Sequence, residues 1–253
     1  MEPQRSPLSL KDRVAVVTCA GRGIGAATAR LMAQAGAAVA LIDRDGAGLG
    51  RTAEQIALAG GEALPFENDI TDSFTLERIF DQVVEEWGRL DILVNNASAA
   101  RSSPLQELAD EDWAETLEIN LRGAMLCTRA AVFHMLARHH GRILSTTSLI
   151  ARTGSPGQTA YAASKAGIIG MTRVWAREFG PHGITANAVA PGMIDSEIDR
   201  SWTPEVVAEA VSRTPAGRVG RPEEVANVFL FLASDLASFV NGAVVGVDGG
   251  LLL

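Results

Sequence analysis

A tyrosine and a lysine one helical turn apart are the first residues of this chain whose types and spacing could do chemistry. Tyr161 is the only tyrosine, and Lys165 follows four residues later, which places both side chains on one face of a helix. A phenol titrates near ~10 and is a weak base at neutral pH. A nearby ammonium favours the phenolate, so this tyrosine could exchange a proton with an alcohol or an alkoxide. The alternative is an amphipathic helix with a buried ring and a lysine that reaches solvent.

A glycine-rich turn is the second signal. Residues 18–25 follow an apolar run and lead directly into a helical pattern. Glycines let the backbone approach a ligand closely, and the unpaired N–H groups of a helix N-terminus attract a pyrophosphate. The turn therefore predicts a dinucleotide site, although glycine-rich turns also occur for packing alone. Its candidate cofactor contacts are Gly21, Arg22, Gly23, Ile24 and Gly25.

Asp43 indicates which dinucleotide would bind. It stands eighteen residues past Gly25, at the end of the second apolar run. A carboxylate there can accept both ribose hydroxyls of an adenosine and would repel a 2′-phosphate, so the sequence predicts NAD as the cofactor. The alternative is a solvated turn residue beside Arg44. Together with the glycine-rich turn, the tyrosine–lysine pair favours catalysis.

The elements that would position these residues alternate along the whole chain. Short, almost continuous apolar runs are typical of strands whose two sheet faces are both covered by helices. The predicted strands are 14–18, 38–42, 63–67, 92–94, 142–146, 185–189 and 243–247, and the predicted helices are 24–35, 46–59, 73–87, 111–138, 160–179 and 223–233. This alternation predicts the α/β class: a single doubly wound Rossmann-type domain, with a seven-stranded parallel sheet and helices on both faces.

The sequence shows no linker or repeat that would divide it. We expect an N-terminal tail, 1–12, followed by one dinucleotide-binding and catalytic domain, 13–253. The polar, proline-punctuated segment 193–215 follows a strand end and is predicted to be an irregular lid over the ligand crevice. Segments 98–104 and 149–157 would complete the substrate walls. Nothing in them distinguishes one kind of alcohol from another.

Composition excludes several classes of protein. Of 253 residues 47% are apolar and the net charge is −8, which excludes intrinsic disorder and makes nucleic acid an unexpected partner. We find no secretory signal and no apolar run of ~20 residues, so a soluble cytoplasmic protein without a membrane partner is expected. The two cysteines, Cys19 and Cys127, point to a reducing compartment. The four histidines have no metal-ligand company, so no metal site is predicted.

From Arg13 onward the sequence resembles the short-chain dehydrogenase/reductase family, and within it the 3-oxoacyl-carrier-protein-reductase-like branch. The resemblance rests on the glycine-rich turn and on several further motifs. These are Asn68-Asp69-Ile70, Asn95-Asn96-Ala97, Glu118-Ile119-Asn120-Leu121, Ser148, Tyr161-x-x-x-Lys165, Pro191-Gly192 and Asp248-Gly249-Gly250.

The resemblance implies a catalytic tetrad. Tyr161 would be the acid/base, and Lys165 would lower its pKa and hold the nicotinamide ribose. Ser148 would bond the substrate oxygen, and Asn120 would hold a water that links Lys165 to solvent. Asp69 would meet the adenine ring. Further cofactor contacts implied by the same motifs are Ile70, Asn96, Ala97, Pro191, Gly192, Ile194 and Ser196. A homotetramer is implied as well, in which helices 111–138 and 160–179 meet their symmetry mates.

Some residues depart from the family pattern. Cys19 stands where the first glycine is usual, and Ser98 replaces the glycine that completes Asn-Asn-Ala-Gly. A cysteine near a helix N-terminus can have a lowered pKa, so oxidation sensitivity is one hypothesis for Cys19. Carrier-protein reductases commonly present arginines near two helix ends, where this chain has His139 and His182. These histidines disfavour recognition of an acidic carrier protein.

Three functions therefore remain open. The favoured one is an NAD-dependent oxidoreductase that acts on a secondary alcohol or its ketone, with a small molecule as substrate. The first alternative is an NADPH-dependent 3-oxoacyl-[acyl-carrier-protein] reductase. The second is a non-catalytic dinucleotide-binding scaffold or redox sensor, for which Cys19 and Ser98 are the only support.

Overall fold

A single parallel sheet organises the part of the chain that the computed structural model describes, residues 6–196 and 203–252. Within these residues the sheet has seven strands in the order β3-β2-β1-β4-β5-β6-β7. The strands are β1 (Val14–Thr18), β2 (Ala38–Asp43), β3 (Glu62–Glu67), β4 (Ile92–Asn95), β5 (Gly141–Thr146), β6 (Ile184–Pro191) and β7 (Val244–Val247). The chain builds outward from β1 on one side and resumes at β4 on the other. A crevice therefore opens beyond the carboxyl ends of β1 and β4.

Helices cover both faces of this sheet. They are α1 (Gly23–Gln34), α2 (Gly46–Leu58), α3 (Ser73–Trp87), α4 (Asp110–Leu117), α5 (Ala124–Arg138), α6 (Ile150–Thr153), α7 (Thr159–Phe179), α8 (Pro204–Arg213) and α9 (Pro222–Ala233). One apolar cluster joins Met32 of α1 and Phe229 of α9 to the sheet, and a second joins Phe80 of α3 and Met135 of α5 to its other face. The prediction of a doubly wound α/β fold is confirmed.

The strands form where side chains of both faces are apolar and small enough to be covered. All five residues of β1 and all eight of β6 are buried, which is why they read as continuous apolar runs in the sequence. Local signals set the helix ends: the Asp72 side chain accepts a hydrogen bond from Thr75 N and caps α3, and Gly88, at φ +73°, ends it.

The predicted helix 111–138 is interrupted in the structure. Residues Glu118–Gly123 form a π-helical segment between α4 and α5. A π segment takes up one additional residue without breaking the helix, so an apolar periodicity does not register it. The prediction of one uniform helix was wrong at this point, and the interruption contains Asn120.

The predicted irregular segment 193–215 is more regular than expected. Ile194 pairs with Gly220 in an isolated parallel bridge, and Pro204–Arg213 form α8, capped by the Thr203 side chain. Helix α8 carries a half-buried stripe of Val207, Ala210 and Val211 at helical spacing, a signal that the segment's overall polarity and its prolines masked in the sequence. Residues 197–202 of the lid lie outside the described residues.

The N-terminal segment contributes to the core. Leu10 is buried, and its N–H donates to Ala35 O at 2.8 Å, although the tail was predicted to extend to residue 12. The boundary between tail and domain stays a prediction. Among the described helices, none combines the length and apolarity that crossing a membrane requires.

Candidate active site

The first turns of α7 carry Tyr161 and Lys165, as their spacing predicts. The Lys165 Nζ atom lies 5.5 Å from the centroid of the Tyr161 ring. Lys165 is only 1% exposed, so its amine is enclosed by protein and does not reach solvent as the alternative interpretation would require. The packing of the amine against the ring supports a chemical partnership between the two side chains.

Two consecutive residues at the end of β5 hold Lys165. Its Nζ donates to Thr146 O at 3.0 Å, and its own backbone oxygen accepts a hydrogen bond from Thr147 Oγ1 at 2.7 Å. Lys165 forms no ion pair with any described residue. Burial lowers the pKa of its amine to about 8, and the thiol of Cys19 opposes this shift only weakly. The amine can therefore gain or lose a proton close to neutral pH.

Asn120 ties three segments together. It is buried in the π segment, and its Oδ1 accepts the Ala99 N–H at 2.7 Å while its Nδ2 donates to Ala99 O at 2.9 Å. Nδ2 also donates to Ser164 Oγ at 2.9 Å, and that hydroxyl donates to Tyr161 O at 2.7 Å. Both amide hydrogens are thus in use, and the water-holding role implied by the resemblance stays a prediction.

Ser148 follows β5 at the carboxyl end of the sheet. Its side chain is nearly buried, and its Oγ accepts the Ile150 N–H at 3.2 Å where α6 begins. The hydroxyl hydrogen is not required by this bond and can be donated to a substrate oxygen. Ser148, Lys165 and Asn120 are thus linked through one short stretch of β5 and the first turns of α7.

The glycine-rich turn has the close contacts that its sequence predicts. A Cβ on Gly25 would lie 2.0 Å from Cys19 O, and Gly23 has φ +54°, so neither position accepts a side chain without strain. Helix α1 begins after Arg22 without a side-chain cap. Its first N–H groups are consequently available to an anionic ligand.

Cys19 does not have the lowered pKa that its place near a helix N-terminus suggested. Burial, followed by the charge of Asp43, raises the pKa of this thiol to about 12. The hypothesis of an activated thiol was therefore wrong, because desolvation and a neighbouring carboxylate outweigh the charges of Arg22 and Lys165. The residue also has φ +52°, a left-handed conformation that a glycine adopts at no cost.

A cleft of about 290 Å³ opens beside this turn. It is lined by Cys19, Arg22, Ile42, Asp43, Arg44, Asp45, Asn68, Asp69, Ile70, Ala97, Ser98 and Ile119. Five of the predicted cofactor contacts are in that set: Arg22, Asp43, Asp69, Ile70 and Ala97. Apolar walls, an uncapped helix N-terminus and carboxylates suit an adenosine with its pyrophosphate, so the residues present fit a dinucleotide.

Two carboxylates in the cleft are held in fixed orientations. Asp43 Oδ2 accepts the Gly21 N–H at 2.9 Å, and its Oδ1 accepts the Asp45 N–H at 3.1 Å. Burial alone would raise the pKa of Asp69, but two hydrogen bonds from Thr71 and the charge of Arg44 hold it below its usual value. Asp69 is therefore an anionic acceptor at neutral pH.

The other predicted cofactor contacts lie along the same sheet edge. The side chain of Asn96 bonds Thr18 O at 3.3 Å and the Thr146 hydroxyl at 2.9 Å, which joins β1 to β5. Pro191 O accepts the Leu149 N–H, and the N–H of Gly192 donates to Val247 O at 3.0 Å. Ile194 is buried, whereas Ser196 is half-buried at the end of the described stretch. Among the described residues, no group of three or more metal-ligating side chains is found.

Sequence reasoning missed three hydroxyl residues that organise this region: Thr146, Thr147 and Ser164. Each is buried and bonds a predicted site residue. Thr147 directly precedes Ser148 and Ser164 directly precedes Lys165, and these are the only signals in the sequence. The bonds from Thr147 to Lys165 and from Asn120 to Ser164 join residues 18 and 44 positions apart, so they become visible only once the strands and α7 are assembled.

Comparisons with known proteins place this arrangement in a family. A family model described as enoyl-(acyl carrier protein) reductase matches residues 19–252. The 3-oxoacyl-[acyl-carrier-protein] reductase FabG of Thermotoga maritima is 41% identical over 246 residues, which cover 97% of this chain and all of the relative. The cis-4-hydroxycyclohexanecarboxylate dehydrogenase of Sinomonas cyclohexanicum is 43% identical over 94% of this chain and 96% of its own.

Solved structures agree with these relatives. A Beutenbergia cavernae protein crystallised with NADP at low occupancy is 39% identical, with a TM-score of 0.92 over 98% of this chain and 99% of that one. Levodione reductase superimposes with a TM-score of 0.91 at 33% identity, over 95% of this chain and 97% of its own. These structures are similar over almost the full length of the chain.

Proposed function

The chain belongs to the short-chain dehydrogenase/reductase family, and from that premise we propose that it transfers a hydride between NAD(H) and a secondary alcohol or its ketone. The observation that carries the proposal is the buried Lys165 amine packed on the Tyr161 ring, 5.5 Å from its centroid. Burying an amine without an ionic partner lowers stability, so a structural role alone does not explain this lysine.

When bound, the nicotinamide would accept or supply the hydride. The chain's own part is to move a proton and to orient the substrate. In alcohol oxidation, Tyr161 takes the hydroxyl proton; in ketone reduction it returns one to the substrate oxygen. The charge of Lys165 favours the phenolate form of Tyr161, and the Ser148 hydroxyl donates a hydrogen bond to the substrate oxygen while charge develops on it.

Asp43 supports NAD as the cofactor. Backbone N–H groups of Gly21 and Asp45 fix both of its oxygens, so the carboxylate cannot readily swing away from a 2′-phosphate. Repulsion between these two anions would disfavour NADP. Arg44 offers little compensation because it pairs with Asp69 at 3.4 Å.

The second candidate is an NADPH-dependent 3-oxoacyl-[acyl-carrier-protein] reductase. It is favoured by the relative of that name from Thermotoga maritima and by the bound NADP of the Beutenbergia cavernae structure. Two histidines count against this candidate. Carrier-protein reductases commonly present arginines near two helix ends, and at these positions this chain has His139 and His182, whose exposed rings lie 6.0 Å apart. A non-catalytic redox sensor has less support, since the Cys19 thiol stays protonated at neutral pH.

A homotetramer in the cytoplasm is part of the same proposal. Phe133 on α5 is 75% exposed and Val174 on α7 is 58% exposed, and contact between symmetry mates would cover both. Two free cysteines are consistent with a reducing compartment. Analytical ultracentrifugation at micromolar concentration tests the assembly; a monomer would contradict it.

The decisive experiment is Tyr161→Phe, assayed on a panel of secondary alcohols and ketones with both cofactors. We expect turnover to fall by about 10²- to 10⁴-fold. NAD binding, measured by quenching of the four tryptophans, should be unchanged. Retained turnover would refute the role of Tyr161. NADP bound as tightly as NAD would refute the cofactor assignment. In Asp43→Asn, the ratio of NAD affinity to NADP affinity should fall by about tenfold.

A further inference from the structure

We propose that Thr147 is a positioning residue for the acid/base pair: its hydroxyl fixes α7 at one setting against the strand end that carries Ser148. The inference rests on the proposed function, because it concerns the same pair of side chains. It assigns a role to a residue that neither contacts substrate nor belongs to the four implied catalytic residues.

The geometry begins with the hold on Lys165. Thr146 O contacts the amine at one end of this side chain, and Thr147 Oγ1 contacts the backbone oxygen at the other end. Thr146, at the end of β5, and Thr147, which follows it, therefore hold the amine and the backbone of the same lysine. The amine cannot shift relative to Tyr161 unless one of these two bonds is broken.

Thr147 is itself held rigidly. Its N–H donates to Val189 O at 2.8 Å, which extends the pairing of β5 with β6 beyond the strand end. The residue is 1% exposed, so water does not compete for its hydroxyl. The hydrogen bond to Lys165 O, at 2.7 Å, thus connects the sheet directly to the catalytic turn of α7.

The next residue along the chain is Ser148. A bond that fixes Thr147 against Lys165 also fixes the spacing between the Ser148 hydroxyl and the Tyr161 ring. Reaction rates depend steeply on such spacings, and a displacement of ~1 Å can cost about a hundredfold. A hydroxyl in this place would therefore affect turnover without touching the reacting atoms.

The chain contains a matched control on the same helix. Thr172 is also 1% exposed, and its Oγ1 donates to Ile168 O at 2.8 Å. Each of the two variants, Thr172→Val and Thr147→Val, removes one buried threonine hydroxyl that donates to a backbone oxygen of α7. The Thr172 bond lies within the helix, whereas the Thr147 bond joins the helix to the strand end. A merely structural role would make the two variants behave alike.

Lys165 can be observed without any substrate, because Lys11 is the only other lysine. In protein labelled with ¹³C at the lysine ε carbon, NMR should show two lysine resonances, of which the one from Lys165 titrates near 8. The titratable groups that face this amine are Tyr161 on its own helix and Cys19 from the turn after β1.

We expect Thr147→Val to shift the Lys165 midpoint by about one pH unit, because the amine loses its setting against Thr146 O: a weakened hydrogen bond lowers the midpoint and entering water raises it. The kcat of alcohol oxidation should fall about tenfold with the KM for NAD within twofold, since positioning is lost and cofactor binding is not. Thr147→Ser, which keeps the hydroxyl, should restore both values, and Thr172→Val should leave both unchanged.

A Lys165 midpoint in Thr147→Val that stays at the wild-type value would overturn the inference, whatever happens to turnover. If the valine variant does not fold, Thr147→Ala is measured in the same way. The midpoint needs no substrate, so it remains decisive even if Tyr161→Phe shows that the proposed function is wrong. Failure of the inference and failure of that function are thus distinguishable.

Discussion

At the amino end of the sheet, the buried carboxylate of Asp91 accepts two hydrogen bonds from Arg89 and one from Val14 N, each between 2.7 and 2.9 Å. At the carboxyl end, the buried amine of Lys165 donates to the Thr146 carbonyl and contacts the Tyr161 ring. Both charges lie against the same sheet, at opposite ends of its strands. They differ in whether the surrounding chain supplies an opposite charge.

The amino end is a network of paired charges. Arg13 contacts both Asp91 and Asp235, and Arg142 contacts Asp235 at 3.6 Å. Burial alone would raise the pKa of Asp91, but the bonds from Arg89 and Val14 N outweigh it and lower the pKa. Such pairing fixes the starts of β1, β4 and β5, whereas the unpaired amine at the other end lowers stability.

The difference teaches where this fold accepts a cost in stability. A charge that only holds strands together is neutralised by its neighbours. A charge placed for proton transfer is left partly unsatisfied, so that its pKa moves toward neutrality. Removing a charge at the amino end should therefore lower stability and leave turnover intact, whereas removing the Lys165 charge at the carboxyl end should lower turnover and raise stability.

The largest expected effect is at Lys165. Lys165→Met should lower turnover by at least about a hundredfold, because the phenolate loses its stabilising charge. The same change should raise the free energy of unfolding at pH 7 by about 1–2 kcal/mol, since a buried unpaired charge is removed. Activity and urea unfolding would be measured on the same samples.

The pH dependence of that gain has a definite sign. The unfolded lysine binds its proton up to about 10.5 and the folded one only to about 8. Wild-type stability therefore rises between these pH values, and the advantage of Lys165→Met should shrink over the same interval. An advantage that is constant from pH 7 to pH 10 would mean that the amine is not desolvated.

Asp91→Asn is the corresponding change at the amino end. It removes the charge that Arg89 and Arg13 face, and we expect a loss of about 2–3 kcal/mol in the free energy of unfolding. Turnover at 25 °C should stay within about twofold of wild type, as the site lies at the opposite sheet edge. A large loss of turnover in a folded protein would break the comparison.

His140 gives a smaller effect at the amino end. Burial, followed by the charges of Arg13 and Arg142, lowers its pKa to about 4, against about 6.5 when unfolded, while Asp91 and Asp235 oppose the shift. The unfolded chain then binds more protons between these values, so stability falls as the pH drops through this window. In His140→Gln this part of the loss should be absent, a difference of about 2 kcal/mol at pH 5 in urea unfolding. Equal pH profiles would show that the imidazole is solvated.

Cys19→Gly should give the smallest change. Cys19 has a left-handed backbone conformation, at φ +52°, that glycine adopts without strain. The substitution should therefore raise the free energy of unfolding by up to about 1 kcal/mol. The matched change at the amino end is His139→Gly, which relieves the same kind of strain at φ +49°. A loss of stability in Cys19→Gly would indicate that packing of the thiol beside Asp43 outweighs the strain.

The fold was predictable from the sequence because its main signal is local. Apolar runs such as 14–18 and 185–189 are buried on both faces, and their regular alternation with helices implies a parallel sheet. Helix α8 was missed although Val207, Ala210 and Val211 give it a half-buried stripe, because the segment as a whole is polar and interrupted by prolines. The π segment escaped because one inserted residue leaves the apolar pattern on both sides intact.

The candidate site was predictable in its residue types but not in its supports. Tyr161, Lys165 and Asp43 stand where spacing and strand ends placed them. The environment of Cys19 was not predictable, since its raised pKa depends on burial and on Asp43 across the turn. The bond from Thr147 to Lys165 joins residues of ordinary type, and only the assembled sheet brings them together.

The π segment Glu118–Gly123 joins α4 to α5, and it fixes the number of residues between the two helices. One surplus residue turns α5 out of phase with α4 by about 100°, which is the rotation of a single helical residue. Deleting any one residue of the segment would let α4 and α5 fuse into a continuous α-helix, and Asn120 would then point away from Ala99 and Ser164. A substitution at an exposed position of this stretch leaves its residue count intact, but an insertion or deletion of one residue would separate Asn120 from Ala99 and Ser164.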